Sequence, residues 1–182
     1  MKAHYKVAVL THARDAFDCI NYRIRGVMEV WREWGIEVVV LRGIDRFEAA
    51  DALILHPDLT VIPEDYIAFS ARYPVVINGR VRDISKRKIS RNLLKSGDSY
   101  PGEVIVKTNL NCAGLPEQKL ARFSRLQKKL SKHLPWTLTG KLTPDAYPVF
   151  PSLAEVPKAV WYNPKLVVEK YLHHSFSPHP FI

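Results

Sequence analysis

Lys107 stands at the end of a short apolar run, Glu103-Val104-Ile105-Val106-Lys107, and a small polar stretch, Asn109-Leu110-Asn111-Cys112-Ala113-Gly114, follows it. A strand that ends in lysine before such a loop can aim an ammonium at phosphate oxygens held by loop amides. The plainer reading is a solvated lysine, because lysines near strand ends are common. Glu169 offers a second chemistry. In the run Leu166-Val167-Val168-Glu169-Lys170-Tyr171-Leu172, strand alternation sends Val168, Lys170 and Leu172 to one side and Val167, Glu169 and Tyr171 to the other. The carboxylate then shares a face with apolar neighbours and requires a donor such as an amino group. An edge strand with Glu169 and Lys170 both in water is the alternative. His173, His174 and His179 have the chemistry of metal ligands, but a tail rich in Pro and Ser is a poor frame for fixed coordination, so no metal site is expected. Cys19 and Cys112 are isolated and fit no zinc or redox spacing, which points to a reduced cytosol.

Short apolar strands and amphipathic helices must position these groups. Tyr5–Thr11 reads as a buried strand, and a loop with Arg14, Asp15 and Asp18 follows. Ile20, Ile24, Val27, Trp31 and Trp34 recur at helical spacing, with Gly35 where a C-terminal cap belongs. Glu37–Leu41, Ala52–His56 and Tyr73–Asn78 read as further strands, and Pro63-Glu64-Asp65 opens a helix between the last two. Strands alternating with helices predict an α/β chain with a parallel sheet in a first unit ending near residue 78. The second unit opens on Ser85, an N-cap for a basic helix running to about Lys95. The strand Glu103–Thr108 comes next. Pro116-Glu117 then starts a long helix with Leu120, Phe123, Leu126 or Gln127, and Leu130 on its apolar side. Tyr147–Phe150 and Leu166–Leu172 are strands, and Ser152-Leu153-Ala154-Glu155 has capping-box spacing.

Charge is concentrated in this second unit. Residues 79–141 hold fifteen lysines and arginines against four acids, a balance of +11, while the rest of the chain carries −2. A phosphate ligand or a polyanion is the natural partner of such a segment, and solvated helix faces are the bland alternative. No apolar stretch approaches the length of a membrane span, so no membrane partner is expected. With 47% hydrophobic residues the 182-residue chain can build a core, which excludes a disordered or collagen-like protein.

The residues from Asn78 to Leu172 resemble the first part of an ATP-grasp domain, and residues 1–78 resemble the Rossmann-like pre-ATP-grasp domain that precedes it. Lys88-Ile89-Ser90-Arg91-Asn92-Leu93-Leu94 is similar to the segment in which a lysine opens a helix and touches nucleotide phosphate. Many members carry Asp before that lysine; this chain has Arg87, so Lys86 competes for the role. Glu103–Lys107 resembles the strand that brings a second lysine to the α-phosphate region. The loop after it has the single glycine Gly114 where relatives often have two or more. Val168-Glu169-Lys170-Tyr171-Leu172 resembles the hinge strand. The resemblance implies that Glu169 accepts from the adenine amino group, that the Leu172 amide donates to the ring, and that Lys88, Lys107 and Lys170 complete the nucleotide contacts.

It further implies weak binding of ATP and, in the parent reaction, ligation of a small-molecule carboxylate to an amine or thiol through an acyl phosphate. Magnesium serves that reaction, but beyond Glu169 the sequence has no Asp, Glu, Asn or Arg to hold it or to steady the transferred phosphate. Catalytic residues are therefore unassigned, and the expectation is an incomplete ATP-grasp α+β subdomain over residues 79–172, an irregular tail over 173–182, and no ligation by the chain as given. Apolar surface around Val167 and Tyr171 is expected to lie exposed and to favour self-association. In such families the first domain often helps bind substrate, which makes Thr11, His12, Arg14 and Asp15 candidate contacts, with an ordinary exposed βα loop as the alternative. The competing function is a basic nucleic-acid or polyanion-binding module, although no RNP, zinc-finger or helix-turn-helix signature occurs.

Overall fold

The computed structural model describes residues 4–120 and 134–172. The chain is mixed α/β and divides into two compact units, Met1–Ile84 with Leu115–Arg122, and Ser85–Gly114 with Phe123–Ile182. Each has its own four-stranded sheet. No helix among the described residues is long and apolar enough to cross a membrane.

The first unit is built on β1 (Lys6–Thr11), β2 (Glu37–Arg42), β3 (Ala52–Leu55) and β4 (Val76–Ile77), parallel in the order β2-β1-β3-β4. Ala8 pairs with Val39 on one side and Leu53 on the other, so β1 is internal. Its apolar residues run without interruption because both faces of the strand are covered. Ala8 and Leu10 pack with Leu53, Leu55, Tyr66 and Phe69, where α2 (Glu64–Ser70) lies. Val9 and Ile54 pack with Phe17 and Met28, on the side of α1 (Arg23–Glu33). The ends of these helices follow the residues: Gly35 takes a left-handed φ of 80° after α1, and Glu64 and Asp65 occupy the first turn of α2. Trp34, the last member of the apolar row, is instead the C-cap residue and is 71% exposed. The strand expected over Tyr73–Asn78 shortens to Val76–Ile77, and Tyr73 packs in the α2 core.

The second unit contains α3 (Lys86–Ile89), β5 (Leu93–Leu94) and β6 (Val104–Thr108). After α4 (Leu115–Leu120), which belongs to the first unit, come α5 (Trp136–Thr139), β7 (Val149–Phe150), α6 (Lys158–Tyr162) and β8 (Leu166–Lys170). The sheet is antiparallel in the order β5-β8-β6-β7. Val104, Val106, Leu166 and Val168 form a core with Leu94, Val156 and Val160. The basic helix expected to reach Lys95 stops at Ile89, because Leu93 and Leu94 pair with Glu169 and Val168 of β8. The capping-box sequence makes only a 3-10 turn, in which the Ser152 hydroxyl donates to the Glu155 carboxylate at 3.1 Å instead of capping a backbone amide. Beyond Leu120, the long basic helix with Phe123, Leu126, Gln127 and Leu130 lies outside the described residues, as do His173, His174 and His179.

Candidate functional site

The register of β6 on β8 sets the geometry of the candidate site. Ile105 stands opposite Glu169 and Lys107 opposite Val167. Lys107 and Glu169 are therefore diagonal neighbours on one face, within reach of long side chains. Their ion pair closes at 2.9 Å between Nζ and Oε2, with the lysine side chain 30% exposed and the glutamate 8%. Val104, Val106, Leu166 and Val168, the alternate residues, fill the core on the other face. Beside the pair, Ile105 and Val167 are themselves buried. The carboxylate thus sits among apolar neighbours, as strand alternation requires, and the donor it needs is supplied by Lys107.

The other expected nucleotide contacts do not converge on the pair. Lys170 follows the core-facing parity, and its ammonium lies 5.3 Å from the centroid of the Tyr100 ring, a cation–π contact. Its backbone amide donates to Asn92. Leu172 is exposed, and its amide has no hydrogen-bond partner among the described residues. Lys88 is exposed on α3, and its side chain has no hydrogen bond or ion pair among the described residues. The two cations before it are engaged with the protein. Lys86 Nζ donates to the Leu110 carbonyl at 2.8 Å, and an Arg87 guanidinium nitrogen donates to that of Leu166 at 2.7 Å. Both are thereby tied down rather than arrayed for a polyanion.

Asn109, which sequence reasoning passed over as loop, holds α3 in place. Its carbonyl accepts from the Lys86 amide and its side-chain oxygen from the Arg87 amide, each at 2.9 Å. A far-off residue thus satisfies amides that Ser85, which makes no side-chain cap bond, leaves open. The loop then winds through three consecutive left-handed residues, Cys112, Ala113 and Gly114, with φ of 44°, 56° and 70°. Only the glycine adopts this without cost, and a Cβ on it would meet Leu110 at 2.9 Å. Two surface hollows of the second unit, of about 520 and 360 Å³, are lined by other residues, and neither Lys107 nor Glu169 opens into them. Val167 is 4% exposed, which removes it from the apolar surface expected to drive self-association; Leu172 is 60% exposed.

The candidate residues of the first unit lie where β1 ends. Thr11 is buried, and its hydroxyl donates to the Leu41 carbonyl, a structural role. His12 stacks on Tyr66 with ring centroids 5.7 Å apart, and its Nδ1 accepts from the Arg14 amide at 3.1 Å. Burial, and then the Arg14 charge, push the imidazole pKa below its ordinary value. Protonation would place a hydrogen on the accepting nitrogen and break that bond. A histidine whose folded pKa is lowered contributes stability that is present above its unfolded pKa near 6.5 and lost as pH falls through the folded value. The expected result is that unfolding free energy declines less between pH 7 and pH 5 in His12→Asn than in the parent, measured by urea titration at each pH. Equal slopes would remove His12 from the acid response.

Asp15 and Asp58, by contrast, share one donor. The Tyr22 hydroxyl lies 3.2 and 3.1 Å from the two Asp15 oxygens and 2.9 Å from Asp58 Oδ2. Burial raises the pKa of both Asp15 and Tyr22. Comparison with known proteins gives no match: no family model matches this sequence, and no curated protein or solved structure does so.

Proposed function

We propose that the second unit is an ATP-grasp-like nucleotide-binding module that takes adenine nucleotides weakly, and that the first unit is the Rossmann-like domain that accompanies such modules. The observation that carries the reading is the Lys107–Glu169 pair. A buried ion pair adds little net stability over an apolar pair of similar volume, so folding alone gives scant reason for one on a sheet face beside Ile105 and Val167. A nucleotide gives both charges a use, the lysine against phosphate and the carboxylate against an exocyclic amine. The Leu172 amide next to the end of β8, which has no partner among the described residues, adds the donor that a purine ring nitrogen requires. Lys88 and Lys170 are further contacts implied by the resemblance to that family.

Calorimetry on the full chain with ATP, AMP and GTP tests this. ATP and AMP should bind in the micromolar to millimolar range ahead of GTP. Loss of one charged hydrogen bond, at about 1.5–3 kcal/mol, should weaken ATP at least tenfold in Lys107→Ala. Absence of binding at millimolar ATP, or unchanged affinity in that variant, ends the proposal. Tight, salt-steep binding of RNA or DNA without ATP competition would instead identify a polyanion module.

A further inference from the structure

In the first sheet, β1 leads to β2 on one side and β3 to β4 on the other, which makes the gap between the carboxyl ends of β1 and β3 a topological switch point. Open parallel sheets bind ligands in the crevice at such points. A cavity of about 300 Å³ lies there, lined by Arg14, Asp15 and Tyr22 after β1, by Asp58 after β3, and by Lys119 on α4. All of these belong to the first unit.

The charges in this cavity are incompletely matched. One phenol carries one proton, yet three carboxylate oxygens from Asp15 and Asp58 lie within 3.2 Å of the Tyr22 oxygen. Whichever acid takes that proton, the other faces an oxygen with nothing to donate, and the two carboxylates confront each other. A cation with several hydrogens would satisfy both. Lys119 has no hydrogen-bond or ion-pair partner among the described residues, and Arg14 spends one nitrogen on the Leu120 carbonyl at 2.9 Å. Nearby, His56, in the loop that carries Asp58, has a buried Nδ1 with no hydrogen-bond partner among the described residues, and its ring meets that of Tyr22 at 5.0 Å. Orphaned polar atoms of this kind are rare in finished interiors.

The geometry points to a binding site for a small zwitterion of the free amino-acid class, its ammonium held by Asp15, Asp58 and Tyr22 and its carboxylate by Arg14 and Lys119. The volume is at the bottom of the range of small-molecule sites, roughly 300–1,000 Å³, which suits a molecule of that size and not a nucleotide. The site stands on the first unit alone and does not depend on nucleotide binding in the second.

The test is thermal unfolding of the full chain in a panel of free L-amino acids, each at 10 mM, beside the N-acetyl derivative and the methyl ester of every one. At least one free amino acid should raise the transition temperature, and blocking either end should abolish the rise. Asp58→Asn is the informative variant because Asp58 has a left-handed φ of 50°, which asparagine tolerates as well. It should raise the transition temperature of the unliganded protein by relieving the carboxylate pair, while weakening the amino acid at least tenfold in calorimetry. No shift with any free amino acid overturns the proposal. So does an N-acetyl derivative that binds equally well, or Asp58→Asn that lowers unliganded stability and leaves affinity unchanged.

Discussion

Lys107→Met lowers the unfolding free energy by about 3 kcal/mol, and adding Glu169→Leu restores most of it. The single substitution removes the ammonium that lies 2.9 Å from Glu169 Oε2 and leaves a carboxylate whose side chain is 8% exposed. Stranding one partner of a buried pair costs about 3–5 kcal/mol; the lower end applies because the Lys107 side is 30% exposed, so water reaches part of the site. The double variant removes the buried charge as well, and its two apolar side chains lie beside Ile105 and Val167. Replacement of a whole pair by apolar residues of similar volume is commonly neutral or stabilising. Denaturant titration of the parent, both singles and the double gives the coupling directly. A Lys107→Met cost under about 1 kcal/mol would show that Glu169 is satisfied without the lysine. Nucleotide binding should vanish in the double variant even as stability returns, which separates the use of the charges from the needs of the fold.

The second large effect belongs to the parallel sheet. Leu53→Ala should cost about 2–5 kcal/mol, as the removal of buried leucine side chains does. Leu53 is fully buried, with its backbone paired to Ala8 on one side and Val76 on the other, so the strand cannot shift to fill the space. Its neighbours Leu10, Leu55, Tyr66 and Phe69 are also buried in the same cluster and would line the cavity. Against a total stability of about 5–15 kcal/mol, such a loss should be plain in the urea midpoint at an unchanged m-value. Val61→Ala is the control: the side chain is 51% exposed, and the change should stay within about 0.5 kcal/mol. Equal costs for the two would mean that the cluster around Leu53 is not a packed core.

Local pattern sufficed where both the periodicity and the end signals lay within one segment. Thr11 ends β1 as expected, α1 lies within its apolar row, and Pro63 leads into α2. Pattern failed where a distant strand decides. Leu93 and Leu94 follow a basic helical run, and nothing beside them in sequence announces the β8 partner that draws them into a sheet. The candidate site divides in the same manner. Alternation alone placed Glu169 on an apolar face, whereas the identity of its donor depends on the offset between β6 and β8, which no residue of either strand advertises. Tyr22 and Asp58 were missed because 36 residues separate them and neither sits in a motif. Asp15 was recognised from its loop. Joining it to Asp58 requires knowing that β1 and β3 are adjacent, a fact of sheet order and not of spacing.

The central place of β8 in the second sheet also sets a timetable. β5 and β6 do not pair with each other; each waits for a strand that begins at Leu166, and 57 residues lie between Thr108 and that point. At synthesis speeds of about 5–20 residues per second, the middle of the sheet is missing for roughly 3–11 s after β6 is made. During that interval Val104, Ile105 and Val106 have only the two-residue β7 to pair with, and that strand too comes late. The first sheet faces no comparable delay, since its strands are all made by Ile77. Translation therefore leaves one apolar strand open to chaperones or to a neighbouring nascent chain, and slowing the ribosome between residues 108 and 166 should lower soluble yield more than an equal pause before residue 77.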